Sequence, residues 1–329
     1  MAIGKASNFV IRDEEFNAGY IETLDQQVAE FNAGFGGAIN LVTQDMEGDY
    51  NKNRFFDLPT GGYVRRDTTD VSTSLTPSTM TQDTHTGVKL SRRFGPYSMT
   101  EDAWRKVGRS PEEMSAFLGE AYALAKSKEV LNTTVAALSG AIGTYATNVY
   151  DYAAVGANKI LDHTALIRGR NKMLDASGKV ICWVGRSEPY SQLVEGQLSV
   201  ASGNVGDFAV YQGQAGSLGL PFYVSDIPSL TVTGTPGEYY ILGLVAGAAD
   251  VFFNGLPIVA LDRTLLKENI ERVLQGEDDY SLKLKGFSWD TANGGANPNA
   301  TAAALGSNWD AVVGSHKDTA GVRIDVDKS

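Results

Sequence analysis

The chain has 329 residues, of which 43% are hydrophobic and 20% are charged. This composition supplies enough apolar material for one large domain or two joined domains, and it excludes a disordered chain. The net charge of −11 excludes nucleic-acid binding through a general positive field, although local basic patches remain open.

The N-terminal segment is predicted to contain one amphipathic helix. Between residues 14 and 31, apolar side chains recur at helical spacing, at Phe16, Tyr20, Leu24, Val28 and Phe31. The glycine-rich segment 34–37 is a typical helix stop. Because this apolar stripe has no obvious partner nearby in the sequence, we interpret residues 1–48 as an arm that lies on another surface.

Residues 49–105 are rich in Ser, Thr, Asp and Arg and contain few large apolar residues. Short β-type pieces at 54–58, 63–66 and 88–94, together with the Ser/Thr-rich run 68–86, predict a long projecting hairpin. Two strands alone bury too little apolar surface to be stable. The hairpin is therefore predicted to need a further partner, and a neighbouring copy of the chain is the simplest one.

Two pairs of adjacent arginines, Arg65-Arg66 and Arg92-Arg93, fall in this predicted hairpin. One interpretation is that they keep an exposed loop soluble. The other is that they form salt bridges with an acidic neighbouring subunit, since a guanidinium group pairs with a carboxylate through two parallel hydrogen bonds. The sequence leaves both interpretations open.

The clearest predicted element is a long helix that begins at the capping box Ser110-Pro111-Glu112-Glu113. It would run for about 30 residues, or roughly 45 Å, and a helix of that length often serves as a structural beam. Lys126, Lys128 and Glu129 are predicted to occupy its solvated face. Its apolar stripe consists of Met114, Phe117, Leu118, Ala121, Leu124, Leu131, Val135, Leu138 and Ile142.

The pattern of residues 151–257 indicates alternating helices and strands. A helix is predicted at 160–173, and the continuous apolar run 180–184 predicts a strand covered on both faces, which buries Cys182. Since Cys182 is the only cysteine, no intrachain disulfide can form. Further predicted elements are a helix at 187–198 with Ser187 as its N-cap, and strands at 208–211, 220–224 and 239–244.

The segment 258–329 returns to β character. Strict alternation of apolar and polar residues from Tyr280 predicts a strand with one solvated face. Residues 269–275 either pair with that strand across a turn at 276–279 or form a short helix, and both alternatives remain open. The remaining predicted elements are a loop at 292–304, a short helix around Trp309 and a strand at 321–326.

The sequence predicts no catalytic, cofactor-binding or metal-binding residues, and therefore no enzyme. The three histidines, His85, His163 and His316, stand in no zinc-binding spacing. Ser187 follows a strand as a nucleophile would, but Pro189 replaces the second glycine that such a turn requires. No apolar run approaches the roughly 18 residues of a membrane span, and the N-terminus lacks the apolar segment of a signal peptide.

Three stretches carry a resemblance to a known family. They are LDASGKVICWV at 174–184 with PYSQL at 189–193, GLPFYVSDIP at 219–228 with YYILG at 239–243, and 307–318, which begins SNWD and ends SHKD. These stretches are similar to segments of the major capsid proteins of tailed bacteriophages. The order of arm, hairpin, long helix and α/β region also resembles their Hong Kong 97-type fold, which is an α+β fold.

The resemblance implies an organisation and a function. The arm would be 1–48, the extended hairpin loop 49–105, the peripheral domain 106–150 with its spine helix and 258–329 with the returning strands, and the α/β axial domain 151–257. Such a protein assembles through pentamers and hexamers into the icosahedral shell that encloses the double-stranded DNA of the virion. Candidate contacts between subunits are then Arg65, Arg66, Arg92, Arg93, Phe16, Tyr20 and Leu24.

The resemblance also implies partners. Because only a short arm precedes the hairpin, we expect a separate scaffolding protein in the host cytoplasm, together with a portal, and a decoration protein remains open. Sequence-specific nucleic-acid binding, membrane association and cofactors are not expected. Two alternatives remain: the shell of an encapsulin-like nanocompartment, and an acidic cytosolic α/β enzyme.

Overall fold

The structure is a computed structural model. It describes residues 13–34, 36–44, 48–57, 65–75, 77, 81–100, 102, 111–156, 158–201, 219–232, 237–264 and 268–328. These residues form two β-sheets and five α-helices in an α+β arrangement. The helices are α1 (Asp13–Gly34), α2 (Pro111–Thr144), α3 (His163–Arg170), α4 (Ser187–Ala201) and α5 (Ala300–Ala304).

The described residues also form thirteen strands. The sequence predicted where the long helices begin and end better than it predicted the ends of the strands. In chain order, the strands are β1 (Ile39–Thr43), β2 (Tyr50–Asp57), β3 (Thr81–Thr100), β4 (Val149–Asp151), β5 (Val180–Gly185), β6 (Phe222–Val224), β7 (Thr231–Val232), β8 (Glu238–Val245), β9 (Ala249–Thr264), β10 (Glu271–Leu284), β11 (Phe287–Trp289), β12 (Trp309–Ala311) and β13 (Gly321–Asp327).

Helices α1 and α2 confirm the two long helices predicted from the apolar spacing. Helix α1 ends at Gly34, before Gly36 and Gly37, whose φ angles of 57° and 80° suit glycine. Helix α2 has 34 residues and is therefore about 51 Å long. Phe117 and Leu124 belong to its apolar stripe but are not buried, since they are 49% and 54% exposed.

In the described part of the chain, no helix is long and apolar enough to cross a membrane.

The first sheet contains seven strands in the order β1-β9-β10-β11-β12, with β3 on β10 and β2 on β3. Strand β1 is parallel to β9, and the other pairs are antiparallel. Strand β3 has two partners along its length: residues 81–88 pair with β2, and residues 88–100 pair with β10. We call β2 and residues 81–88 the hairpin.

The partner that holds this hairpin lies in the same chain. Strand β10 pairs with the second half of β3, so the further partner is a strand of the same chain and not the neighbouring copy that was the simplest expectation. The pairing of β2 with β3 confirms the hairpin itself. The predicted strand at 63–66 is not found at Arg65 and Arg66, and its first two residues lie outside the described residues.

Strand β10 settles the two alternatives for residues 269–275. It is one continuous strand from Glu271 to Leu284, so neither the short helix nor the turn at 276–279 is present. The ladder with β3 shifts its register between Leu274 and Gly276. A bulge of this kind bends a strand without ending it, which explains why a turn-like sequence continues the sheet.

The second sheet has the order β4-β13-β8-β5-β6, with the short strand β7 also on β8. Strand β5 is almost wholly buried, as predicted, and Cys182 has 0% exposure. The last strand, β13, lies between β4 and β8. Segment 258–329 therefore does not return as a whole to the first sheet, because its final strand completes the second.

Smaller differences concern the segments near the C-terminus. The predicted loop 292–304 contains the short helix α5, and Trp309 begins strand β12 after a turn of 3-10 helix at Gly306–Asn308. The predicted strand 208–211 lies outside the described residues. The two strands predicted at 220–224 and 239–244 are confirmed as β6 and β8.

Candidate assembly site

Helices α1 and α2 cross at two glycines. A Cβ atom on Gly19 would lie 2.7 Å from the carbonyl oxygen of Ala116, and one on Gly119 would meet the carbonyl oxygen of Phe16 at still closer range. Real Cβ atoms do not approach so closely. The two backbones can therefore come this near only because both positions lack a side chain.

The apolar stripe of α1 packs within its own chain. Phe16, Tyr20 and Leu24 are 3%, 1% and 9% exposed, and rings of the stripe contact Tyr122 of α2 at centroid distances of 6.1 Å for Phe16 and 5.5 Å for Tyr20. The stripe was expected to lie on another surface because no partner is near it in the sequence, and that surface is α2 of the same chain. With so little surface left uncovered, these three side chains hold α1 on α2.

Tyr122 also joins the helices to the first sheet. Its ring meets the ring of Phe94 in β3 edge-on, with centroids 4.5 Å apart. We call the region where α1, α2, β3 and β10 meet the joint. One aromatic cluster therefore connects α1, α2 and β3, the strand that carries the hairpin.

Lys126 of α2 was predicted to lie on a solvated face, and that prediction is wrong. It lies inside the joint. Its Nζ lies 2.5 Å from Oδ2 of Asp278 in β10, and both side chains are 5% exposed. Nζ also donates a hydrogen bond of 2.8 Å to Tyr20 Oη and lies 4.6 Å from the ring centroid of Phe253. Burial lowers the pKa of Lys126 and raises the pKa of Asp278.

A second ion pair links β3 to α2. Arg92 Nε donates to Glu129 Oε1 at 2.8 Å, and Tyr280 Oη donates to Glu129 Oε2 at 2.7 Å. Thr133 Oγ1 adds a hydrogen bond of 3.1 Å to Oε1. Burial raises the pKa of Tyr280, so its hydroxyl group stays protonated and remains a donor. Glu129, like Lys126, is therefore engaged with the sheet.

The four candidate arginines fall into two groups. Arg92 is paired inside the joint, whereas Arg93 is exposed beside it. Arg65 and Arg66 stand in segment 65–75, and every residue of that segment is exposed. We call segment 65–75 the hairpin tip. It also presents Val71 and Leu75, which are 101% and 88% exposed.

Hydrogen bonds within the hairpin tip shape its backbone. Asp70 Oδ1 accepts hydrogen bonds from the backbone amides of Ser72, at 2.8 Å, and Thr73, at 3.1 Å. Asp67 Oδ1 accepts one from the amide of Thr69 at 2.9 Å. Such local turns are typical of Asp followed by Ser or Thr, and they present the neighbouring side chains outward.

His85 fixes the base of the hairpin. Its Nε2 lies 2.7 Å from the carbonyl oxygen of Leu284 and 2.8 Å from that of Phe287, so a single N–H donates to the turn between β10 and β11. Burial and the nearby charge of Lys283 lower the pKa of His85. The sequence gives no sign of these contacts, because Leu284 and Phe287 follow His85 by 199 and 202 residues.

The described residues hold no group of three or more His, Cys, Asp or Glu side chains that could bind a metal ion.

Ser187 is the first residue of α4 and not its N-cap. Its amide and its Oγ both donate hydrogen bonds to Asp226 Oδ1, at 3.0 Å and 2.8 Å. Burial raises the pKa of Cys182 to about 12, which keeps this thiol protonated.

Three solved phage structures share the fold of this chain. An acid-stable capsid of Helicobacter pylori bacteriophage KHP30 gives a TM-score of 0.52 at 8% identity, covering 88% of both chains. A chain from Microbacterium phage Oxtober96 gives 0.52 at 12% identity, covering 87% of this chain and 88% of that one. The capsid asymmetric unit of cyanophage Pam1 gives 0.50 at 8% identity, covering 87% and 88%.

A search of curated protein sequences gives no match to the chain. A family model does match, over residues 8–323, and its description is Gp13-like, major capsid protein 13-like. That range includes the joint, the hairpin and nearly all of both sheets. The chain therefore belongs to the Gp13-like family of major capsid proteins, the shell-building proteins of tailed phages.

Proposed function

We propose that the chain is a Hong Kong 97-type subunit that assembles through pentamers and hexamers into an icosahedral shell around packaged double-stranded DNA. The observation that carries the proposal is the hairpin tip. It presents two bare apolar side chains, Val71 and Leu75, at the end of an element that β10 anchors firmly. In a shell, a neighbouring subunit would cover these side chains and so remove apolar surface from water.

The hairpin tip would make its contact through both apolar and charged groups. Arg65 and Arg66 are exposed, and a neighbouring copy has 39 acidic side chains against 28 basic ones. Arg93, exposed beside the joint, is a further candidate for such pairing. Phe16, Tyr20, Leu24 and Arg92 would act indirectly, because they keep the joint closed and so fix the direction of the hairpin.

The excess of acidic side chains suits a shell around DNA. Like charges repel, so packaged DNA would not adhere to an acidic inner wall. A closed shell also follows from repeating one modest interface under symmetry. The proposal includes a separate scaffolding protein and a portal as partners, and assembly in the host cytoplasm.

Charge reversal at the hairpin tip tests the proposal. The double variant Arg65→Glu with Arg66→Glu is expected to fold normally, because both side chains are exposed, but to form few or no shells. The matched control is Lys128→Glu on the exposed side of α2. Size-exclusion chromatography and electron microscopy of the assembled material measure the outcome. Normal shells from the double variant would show that the two arginines make no essential contact.

A further inference from the structure

Lys126 and Asp278 touch each other in the joint, where both side chains are almost wholly buried. The Nζ–Oδ2 distance is 2.5 Å, yet Oδ2 is buried without a hydrogen-bond partner, so the contact lacks the direction of a hydrogen bond. A buried ion pair repays the cost of leaving water only when its geometry is good and its remaining groups are satisfied. Asp278 Oδ1 accepts a hydrogen bond of 2.8 Å from the Asp279 amide, but the oxygen that faces Lys126 is left unsatisfied, so the pair gains less from remaining charged than a well-directed ion pair would.

The surroundings favour the uncharged forms of both groups. Burial is the largest influence on each: it lowers the pKa of Lys126 and raises the pKa of Asp278, although the opposite charge of the partner acts against both shifts. The aromatic rings of Tyr20 and Phe253 lie over the amine. An uncharged amine is a nucleophile, and a protonated carboxyl group can lose a hydroxyl group as water.

We propose that Lys126 and Asp278 condense into an amide bond that joins helix α2 covalently to strand β10. The lone pair of Nζ attacks Cγ of Asp278 and forms the new nitrogen–carbon bond. The bond between Cγ and one carboxyl oxygen then breaks, and that oxygen takes a proton from the attacking nitrogen and leaves as water. One amine and one carboxylic acid give one amide and one water, so no oxidant, reductant or cofactor is needed.

Two tyrosines are placed to assist this condensation. Tyr20 Oη accepts a hydrogen bond from Nζ at 2.8 Å, which orients the amine. The Tyr122 hydroxyl group faces the Asp278 carboxyl group, which raises the pKa of Tyr122, and there it would stabilise the negative charge that develops on oxygen during the attack. Burial raises the pKa of both tyrosines, so both hydroxyl groups stay protonated.

The joint also has room for the water that leaves. A cavity of about 210 Å³ borders the pair, and its lining includes Phe94, Tyr122, Lys126 and Asp278. Packing holds the amine and the carboxyl group together permanently, which gives an intramolecular reaction a large advantage over the same reaction between free molecules. The resulting amide carries no charge, so it removes the desolvation cost of the ion pair altogether.

Mass spectrometry of the intact, denatured chain tests the inference. The purified wild-type protein is expected to be lighter than its sequence by the mass of one water molecule. After proteolysis, fragmentation is expected to show a branched peptide that joins the segments containing Lys126 and Asp278. Lys126→Arg cannot form the amide and is expected to have its full mass, whereas Lys128→Arg, two residues away on the exposed side, keeps the deficit.

The wild-type measurement decides the matter alone, because a covalent bond persists in the denatured chain whether or not any variant folds. Full sequence mass in the folded, purified wild-type protein would overturn the inference. So would a lost water that fragmentation assigns to another position, such as a cyclised aspartate elsewhere. The inference does not depend on shell assembly, so its failure would leave the proposed function untouched.

Discussion

Single residues determine how closely the elements of the joint approach one another. Gly19 and Gly119 permit the crossing of α1 and α2, and each would collide with the opposite backbone if it carried a Cβ atom. A helical glycine normally lowers stability because alanine favours the helix by up to about 1 kcal/mol. Their presence in two long helices is therefore explained by the close crossing.

The substitution Gly119→Ala tests this explanation. The methyl group would push the Phe16 backbone away and open the packing of Tyr20 on Tyr122, at a cost of about 1–3 kcal/mol that exceeds the gain in helix propensity. The matched control is Gly196→Ala in α4, where a Cβ atom meets nothing within 4 Å and a small stabilisation is expected. Chemical unfolding of both variants measures the difference, and equal effects would contradict the explanation.

His85 makes the stability of the hairpin base depend on pH. Its folded pKa lies below the ordinary value of 6.5, so in the window between the two the unfolded chain binds the proton and the folded chain does not. Stability is therefore fully present above pH 6.5 and falls as the pH drops through this window. The variant His85→Gln keeps an N–H donor without a titrating group and is expected to lose this part of the pH dependence.

Unfolding free energies at about pH 7.5, above the ordinary pKa of histidine, and at about pH 5, below it, measure the effect of His85→Gln. The matched control is His163→Gln, which makes the same substitution at the exposed first residue of α3, and the difference between the two variants isolates the part that belongs to His85. If the His85 variant and the wild-type chain lose the same stability on acidification, the buried imidazole is not the responsible group.

Lys126 and Asp278 show which residues a sequence pattern misplaces. Lys126 sits among polar neighbours on a helix, and Asp278 sits in a run of acids, so each one alone indicates a solvated position. Their burial depends on a contact between segments far apart in the chain. Local periodicity reports which face of an element is apolar, but it carries no information about a carboxyl group far away in the sequence that contacts a buried lysine.

At the scale of elements, the connection between β3, β10 and α2 sets the direction of the hairpin. Residues 88–100 of β3 pair with β10 through a ladder that contains one bulge, and the Arg92–Glu129 pair then attaches this ribbon to α2. Tyr280 in β10 shares the same carboxylate. One glutamate on the long helix therefore holds two neighbouring strands at once.

The substitution Glu129→Ala tests the connection. It leaves Arg92 and Tyr280 without their shared partner inside the joint, and we expect a loss of about 2 kcal/mol, as for a hydrogen bond to a charged group. The control is Asp279→Ala, which removes the partner of Lys89 on the outer side of the same ribbon and is expected to cost less than about 1 kcal/mol. Equal losses in urea unfolding would show that the inner pair has no special role.

Elements with strong local signals were predicted well from the sequence. The apolar stripe and glycine stop located α1, and the capping box located the start of α2. Strand β10 was divided wrongly because Gly276 and the acids after it resemble a turn, whereas the ladder to β3 carries the chain through a bulge. A turn and a bulge use similar residues, and only the partner strand distinguishes them.

At the scale of the whole molecule, α2 connects the two sheets. Its first half forms the joint with β3 and β10, and near its end the Ser139 carbonyl oxygen accepts a hydrogen bond of 3.2 Å from Arg323 Nη1 in β13. Just beyond the helix, the buried Asn148 donates to the carbonyl oxygen of Gly321 at 3.0 Å. A tilt of α2 would therefore move both sheets, and the hairpin with them.

The proposed shell predicts that changes at the hairpin tip separate folding from assembly. Val71 and Leu75 are almost fully exposed, so the double variant Val71→Ser with Leu75→Ser loses no buried surface in the free chain, and its unfolding free energy should change by less than about 0.5 kcal/mol. In a shell, each side chain that a neighbour covers contributes about 1.5–3 kcal/mol, and that loss is repeated at every interface. We therefore expect a well-folded variant that yields few shells in sedimentation and electron microscopy.

The matched control, Val155→Ser, changes a residue that is 53% exposed and distant in sequence from the hairpin, and it should assemble normally. A variant that assembles as well as the wild-type chain would show that the hairpin tip is not covered by a neighbouring subunit.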